Sequence, residues 1–312
     1  MSVKRIRVFE TDARDPHRNL AVEETLLEMA GEEELILYLW QNDHTIVIGR
    51  NQNPWLECKV SEFLADGGTI ARRITGGGAV YHDGGNLNFS FVASKENYDQ
   101  ARQFEVICRA VKTFGIAAEV TGRNDVTVCG RKFSGNAFYD GGKAALHHGT
   151  ILLKGSAEKM QHFLTPDPEK LRKRSVASVA SRVVNLTELV PGITVSAMKK
   201  ALVQAAAEVY GAPACPAELK ALPEEIFREK WDRQASEDWI FGVRRKDSET
   251  YRAVTAEGIL QAQISFVGDT VEDAVVFTDA LQVEAAENWR KKLLGQPRKA
   301  LVTLGFCPFG QT

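Results

Sequence analysis

Apolar and polar positions alternate through Ile6-Arg7-Val8-Phe9, which predicts a strand. They then recur at helical spacing through Leu20, Leu26, Leu27 and Ala30, with Asn19 as the expected N-cap. Two dense apolar runs, Leu35–Trp40 and Thr45–Ile48, flank the turn-forming Gln41-Asn42-Asp43, so a hairpin or an adjacent strand pair is the simplest reading. From Arg72 to Val92 the order is strand, glycine cluster, strand, with a second turn at Asp83-Gly84-Gly85-Asn86 before the alternating Leu87-Asn88-Phe89-Ser90-Phe91. These read as antiparallel strands rather than βαβ units. A helix is expected from about Ala101 to Phe114, stopped by Gly115, then a strand pair near Val126–Cys129 and Phe133–Phe138, and a strand over His147–Leu153. The alanine-rich Ser196–Tyr210 and the stretch from Pro223 to Gln234 read as helices. Around Trp239-Ile240-Phe241-Gly242 the texture changes to β segments, Tyr251–Thr255 and Ile259–Val267, divided at Glu257-Gly258 and followed by a helix near Val283–Leu294. The class is α+β.

A length of 312 residues suggests two domains, and the texture change divides them into a large unit, 1–237, and a small one, 238–312. Hydrophobic residues at 44% and charged residues at 26% are ordinary globular usage. A formal charge of -2 supplies no broad positive field, which argues against nucleic acid as a partner. The amino terminus lacks the apolar run of a signal peptide, and no run approaches the ~20 residues that cross a bilayer. The 5 cysteines contain no C-x-x-C pair, so neither a disulfide framework nor a zinc site is indicated and a reducing cytoplasm fits.

Chemistry-bearing residues gather in three polar, glycine-bearing loops. Arg72 to Asp83 places two guanidinium groups, a hydroxyl and three consecutive glycines close together, a combination that can cradle an anion or simply form a hairpin turn. It matches neither a P-loop nor a dinucleotide fingerprint. Gly122 to Asn136 carries Asn124 and Asp125, hard oxygen donors suited to Mg²⁺, and Lys132, which strand alternation would place on one face with Ser134 and Asn136. His147 and His148 should point to opposite sides of their strand, so they do not share one metal, and at least one is expected to be structural. The basic run Leu171-Arg172-Lys173-Arg174 reads on its own as a solvated face.

In order along the chain, IGRNQNPWLEC, RRITGGGAVYHDGGNLNFSF, GRNDVTVCGRKFSGNAF, HHGTILL, SVASRVVNLTELVPGI and WIFG resemble the bacterial lipoate–protein ligase A family over about residues 19 to 280. The resemblance implies a mixed, mainly antiparallel sheet flanked by helices, of the biotin/lipoate ligase type, with a small carboxy-terminal domain. It implies ATP-dependent conversion of lipoate to lipoyl-AMP, then transfer to a lysine of apo lipoyl-domain proteins, such as the E2 subunits of 2-oxoacid dehydrogenase complexes and the glycine cleavage H protein. Lys132 then corresponds to the catalytic lysine, which stabilises charge rather than acting as nucleophile. Arg73, Gly76, Gly77, Gly78, Ala79, Val80, Tyr81, Lys132 and Ser178 correspond to the ATP and adenylate site. Thr75, Lys132, His148 and Gly149 correspond to the lipoate site, with Val80, Phe133, Ala137 and Phe138 as expected tunnel lining, and Asn124 and Asp125 as the Mg²⁺ ligands. The stretch Ser175–Val184, with the basic run before it, falls where the family closes a loop over the adenylate. Thr75 stands where some members have serine, and Tyr139 where at least one has arginine. Alternative functions on the same scaffold are a lipoyl or octanoyl transferase, thiol-dependent or using preformed lipoyl-adenylate, and a non-catalytic lipoate-binding protein. A thiol-dependent enzyme needs an activated cysteine, which family relatives of that kind place after the histidine strand, and here none occurs between Cys129 and Cys215.

Overall fold

Strand alternation builds the centre of the protein, seen here in a computed structural model that describes residues 2–165, 183–242, 248–256 and 258–308. The strands are β1 (Arg5–Glu10), β2 (Glu34–Trp40), β3 (Thr45–Ile48), β4 (Thr69–Arg72), β5 (Val80–His82), β6 (Asn86–Ser94), β7 (Glu119–Thr121) and β8 (Asp125–Val128). They continue as β9 (Arg131–Asp140), β10 (Ala144–Leu152), β11 (Ala214–Ala217), β12 (Glu249–Val254), β13 (Ile259–Val267), β14 (Thr270–Thr278) and β15 (Cys307–Pro308). An eight-stranded sheet runs β11-β1-β2-β6-β10-β9-β8-β7. Its β11–β1 and β1–β2 pairs are parallel and the rest antiparallel.

Both faces of β2 are buried, and its residues divide by parity. Leu35, Leu37 and Leu39 join Phe89 and Phe91 in a core covered by the helices Gln100–Lys112 and Val195–Tyr210. Ile36, Tyr38 and Trp40 join Leu20, Val22 and Leu26 of the helix Pro16–Glu28 in a second core on the opposite face. Mixed sheets flanked by helices, as expected, make this an α+β fold. β12 to β14, with the helix Ala285–Leu293, enclose an apolar core of their own that includes Tyr251, Ile264, Leu293 and Phe306.

Several local expectations change. Asp15 caps the first helix by accepting from the His17 and Arg18 amides, while Asn19 lies inside it, wholly buried, and donates to the Ala13 and Gln41 carbonyls. The Leu35–Trp40 and Thr45–Ile48 runs are not a hairpin. β3 instead sits at the centre of a separate sheet, parallel to β4 and antiparallel to β5, so Gln41–His44 is a crossing between layers. The tryptophan segment is a short helix, Glu237–Phe241, capped by Ser236. Glu257, the basic run 171–174, Ser178 and most of the expected closing loop lie outside the described residues.

Candidate active site

The eight-stranded sheet presents rows of cross-strand neighbours, which face the same side in antiparallel pairs. One row is Trp40, Asn88, Thr150 and Gly135, and the next is Tyr38, Ser90, His148 and Ala137. The small sheet and the first helix stand over these rows, leaving a cavity lined by Leu20, Trp40, Val47, Arg73, Gly77 to Val80, His82 and Asn88 on one side. Asn124, Lys132, Gly135, Asn136, Ala137, His148, Gly149 and Thr150 complete the lining.

Lys132 reaches this cavity because of a β-bulge. β8 and β9 pair Val126 with Ser134 but Thr127 with Lys132, so Phe133 is an extra residue. A bulge re-aims neighbouring side chains. It moves Lys132 off the face of Ser134 and Asn136, where simple alternation had put it, and onto the face of Gly135. The Lys132 Cε and Nζ lie 2.8 Å from where a Gly135 Cβ would stand, so only glycine leaves that path clear. The ammonium then lies 2.6 Å from Asp125 Oδ1. The same bulge and alternation turn Phe133 and Phe138 into the opposite core, so of the expected tunnel residues only Val80 and Ala137 line the cavity.

The triple-glycine loop is organised from within by Arg73. Its Nη2 donates to the Gly76 and Gly78 carbonyls at 2.8 Å, its Nη1 to Val47 O at 3.2 Å, and its Nε to Thr75 Oγ1 at 2.9 Å. Gly77 has φ 93, a left-handed conformation that suits glycine, and its N–H donates to Ala280 O at 3.0 Å. Gly78 and Ala79 line the cavity, and their N–H groups make no hydrogen bond to any described residue. Gly76 packs outward against Ala280 and Leu281, away from the cavity. The Tyr81 side chain also turns away, its hydroxyl 3.0 Å from His44 Nδ1. Arg72 belongs to the scaffold: its guanidinium donates to the carbonyls of Gly49, Arg50, Gln52, Trp239 and Ile240. Burial pulls both the Arg72 and the Arg73 guanidinium down to about 10, which leaves each cationic at neutral pH.

A buried polar chain runs behind the lining. Thr75 Oγ1 lies 2.8 Å from His148 Nε2, and His148 Nδ1 lies 2.8 Å from Glu23 Oε1. The Ser90 hydroxyl donates to Glu23 and accepts from Trp40 Nε1 at 3.0 Å. The Glu23 carboxylate faces His148 Nδ1, His148 Nε2 faces the Thr75 hydroxyl, and Thr75 in turn accepts from Arg73 Nε. Thr75 is therefore a link in this chain and contributes nothing to the lining itself. His147 points to the other face, between Gln103 Oε1 at 3.0 Å and Asn136 Oδ1 at 2.9 Å, where burial holds it neutral. Gly149 leaves no room for a Cβ against Phe89 and Asn136.

Glu23, Trp40, His82 and Asn88 escaped sequence reasoning as site residues. Nothing local in the sequence marks Glu23, and only its wholly buried environment reveals its partner. Asn88 and Ser90 did carry a signal, since polar residues alternate there with phenylalanines in a strand that proves buried on both faces.

Asn124 and Asp125 fit a hard cation in donor type. Asn124 Nδ2 donates to Asn136 O at 2.8 Å, which frees its Oδ1, and the Asp125 carboxylate shares one oxygen with Lys132. Among the described residues no cluster of three or more His, Cys, Asp or Glu could hold a metal unaided, so further ligands would come from substrate phosphates and water.

Residues 15–207 match the family model described as the lipoyl protein ligase A/B catalytic domain. The chain is 35% identical over 303 residues to the lipoate-protein ligase A of Bdellovibrio bacteriovorus, covering 94% of this chain and 89% of that one. Among solved structures, P. falciparum LipL1 in complex with lipoate superposes with TM-score 0.81 at 29% identity, covering 94% of this chain and 90% of that one. A lipoate-protein ligase A bound with ATP superposes with TM-score 0.68 at 25% identity, covering 78% of this chain and all (100%) of that one. With half or more of its length in the catalytic-domain model and a curated relative along nearly all of it, the chain belongs to the lipoate–protein ligase A family.

Proposed function

We propose that this protein uses ATP to convert lipoate into lipoyl-AMP and then passes the lipoyl group to a lysine ε-amine of apo lipoyl-domain proteins, E2 subunits and H protein among them, in the cytoplasm. The observation that carries this reading is the convergence of Lys132, the Arg73-organised glycine loop and His148 on one cavity. Adenylation develops charge on the α-phosphoryl oxygens, and acyl transfer develops it on a tetrahedral carbon. Lys132, aimed at one place by the bulge, and the open N–H groups of Gly78 and Ala79 would stabilise both. Arg73 holds the loop through carbonyl contacts, so its role is to orient the amides. Asp125 holds Lys132 in position and, with Asn124, would bind Mg²⁺, whose chemistry is to offset phosphate charge. Ala137, Val80, Leu20, Val47 and Trp40 give the acyl tail an apolar path. All 5 cysteines are absent from the lining, which weighs against an acyl-thioester route.

Among the described residues no helix is long and apolar enough to cross a membrane. The test is incubation with ATP, Mg²⁺, lipoate and an apo lipoyl domain, read by intact mass and pyrophosphate release. One lipoyl group per domain, dependent on ATP, is expected. Transfer without ATP would identify a transferase, and tight lipoate binding with no modified domain a binding protein.

A further inference from the structure

The cavity runs across the sheet. Lys132 lies over Gly135 on β9, Thr150 is the neighbour on β10, Asn88 the next on β6, and Trp40 the last on β2. Adjacent strands are about 4.8 Å apart, so Asn88 lies roughly 10 Å from the β9 end, about the reach of an eight-carbon acyl chain whose carboxyl group sits at Lys132.

This far end is mostly apolar, with Leu20, Trp40 and Val47, but it is not uniformly so. Asn88 and His82 line it, 1% and 3% exposed, and each has one polar atom committed and one uncommitted. Asn88 Oδ1 accepts from Asn86 Nδ2 at 2.9 Å, which fixes the amide so that its Nδ2 is the atom left over. His82 Nδ1 accepts from Asn42 Nδ2 at 3.3 Å, which places the ring proton on Nε2. Burial, with Arg73 and His148 nearby, pushes His82 down to about 3, so it is neutral. Neither Asn88 Nδ2 nor His82 Nε2 has a hydrogen-bond partner among the described residues.

Two fixed, neutral, buried donors in the tail end of a fatty-acyl site are costly unless the tail supplies acceptors. An unsubstituted alkyl tail has none. A tail ending in sulfur has weak ones, and both residues line the cavity that would hold it. We propose that Asn88 and His82 are specificity-determining residues, which select an acyl substrate bearing sulfur at its distal end over the plain alkanoate of equal length. The inference rests on the lipoate-activating function proposed above. It gives these polar positions a role different from that of the Glu23–His148 chain, which runs behind the lining.

The experiment measures kcat/KM for adenylate formation with lipoate and with octanoate, in the wild type and in Asn88→Leu and His82→Phe, with thermal unfolding as a check on folding. The wild type is expected to prefer lipoate. Each substitution should lower the lipoate-to-octanoate ratio by about tenfold, mainly through a lower KM for octanoate, because apolar replacement no longer strands a donor against an alkyl tail. An unchanged ratio in both variants, including a loss shared equally by the two acids, overturns the proposal. Should one variant fail to fold, the other decides. A wild type that adenylates neither acid refutes the functional reading itself and is distinguishable from both outcomes.

Discussion

Glu23 and His148 meet at 2.8 Å in the interior, one from the first helix and one from the fifth strand of the central sheet. The contact ties a helix to the sheet at the place where the cavity opens between them. Through Thr75 it also reaches Arg73, and through Arg73 the carbonyls that shape the glycine loop. Replacing Glu23 with leucine strands the Ser90 hydroxyl and the His148 Nδ1–H without an acceptor. Breaking a buried pair in this way costs about 3 kcal/mol or more. Urea unfolding of Glu23→Leu should show a midpoint well below that of the wild type, and an unchanged midpoint would mean that the chain does not contribute to stability.

Lys132→Ala is expected to reduce adenylate formation by at least ~10²-fold, the usual loss when one preorganised charge donor is removed. Stability should hardly change, because the side chain is partly exposed and its ion pair with Asp125 is open to solvent on one side. ATP–pyrophosphate exchange measures the first effect, and near-normal exchange would remove Lys132 from its assigned role.

The sequence made much of this fold legible because its polar and apolar alternation is strict where both faces are covered. β6 and β10, the Gln100–Lys112 and Val195–Tyr210 helices and the β12–β13 hairpin lie close to where periodicity put them. Pairing partners were harder to read. Nothing local in Gln41-Asn42-Asp43 distinguishes a hairpin from a step between sheets, since the choice is made by β4 and β5 arriving on either side of β3. The site was legible by residue type and only partly by direction. Lys132 was found, but the bulge at Phe133 that turns it toward the cavity leaves no mark in the alternation. Glu23 was invisible because its role depends on a residue 125 positions away.

Arg72 and Arg73 are adjacent but act differently, and substitution should separate them. Arg72 donates to five backbone carbonyls that include the Glu237–Phe241 helix, a fork that a lysine cannot reproduce. Arg72→Lys should lower stability by about 2 kcal/mol, in line with the loss of charge-assisted hydrogen bonds. Adenylation measured well below the unfolding transition should be largely kept. Arg73→Lys should instead impair adenylation, since the Gly76 and Gly78 carbonyls lose their common donor. Equal effects on both readouts would refute the division.

Two buried histidines make the fold less stable in acid. His82, pushed down to about 3, and His147, well below its ordinary range, stay neutral when folded because burial disfavours their charge. The unfolded chain protonates both near pH 6.5. Below that value the unfolded state therefore binds more protons, so stability falls as pH is lowered from about 6.5 toward 3 and is unaffected by these groups above pH 7. His147→Gln should flatten the pH dependence of the urea midpoint between pH 6 and pH 4 by about one proton. A slope identical to the wild type would show that His147 does not couple to unfolding.

Gly135 offers a way to displace Lys132 without removing it. A methyl group there would stand 2.8 Å from the lysine Cε and Nζ, closer than real contacts allow, while touching no rigid backbone. The flexible end of Lys132 would yield, so Gly135→Ala should cost little stability and leave the ammonium present but shifted. Misplacing a catalytic group by about 1 Å can reduce rate ~10²-fold. Adenylation by Gly135→Ala should thus fall at least tenfold at an unchanged urea midpoint. If position is what the bulge secures, adding Lys132→Ala to this background should cost much less than it does alone. Full additivity of the two substitutions would show that Gly135 acts on something other than Lys132.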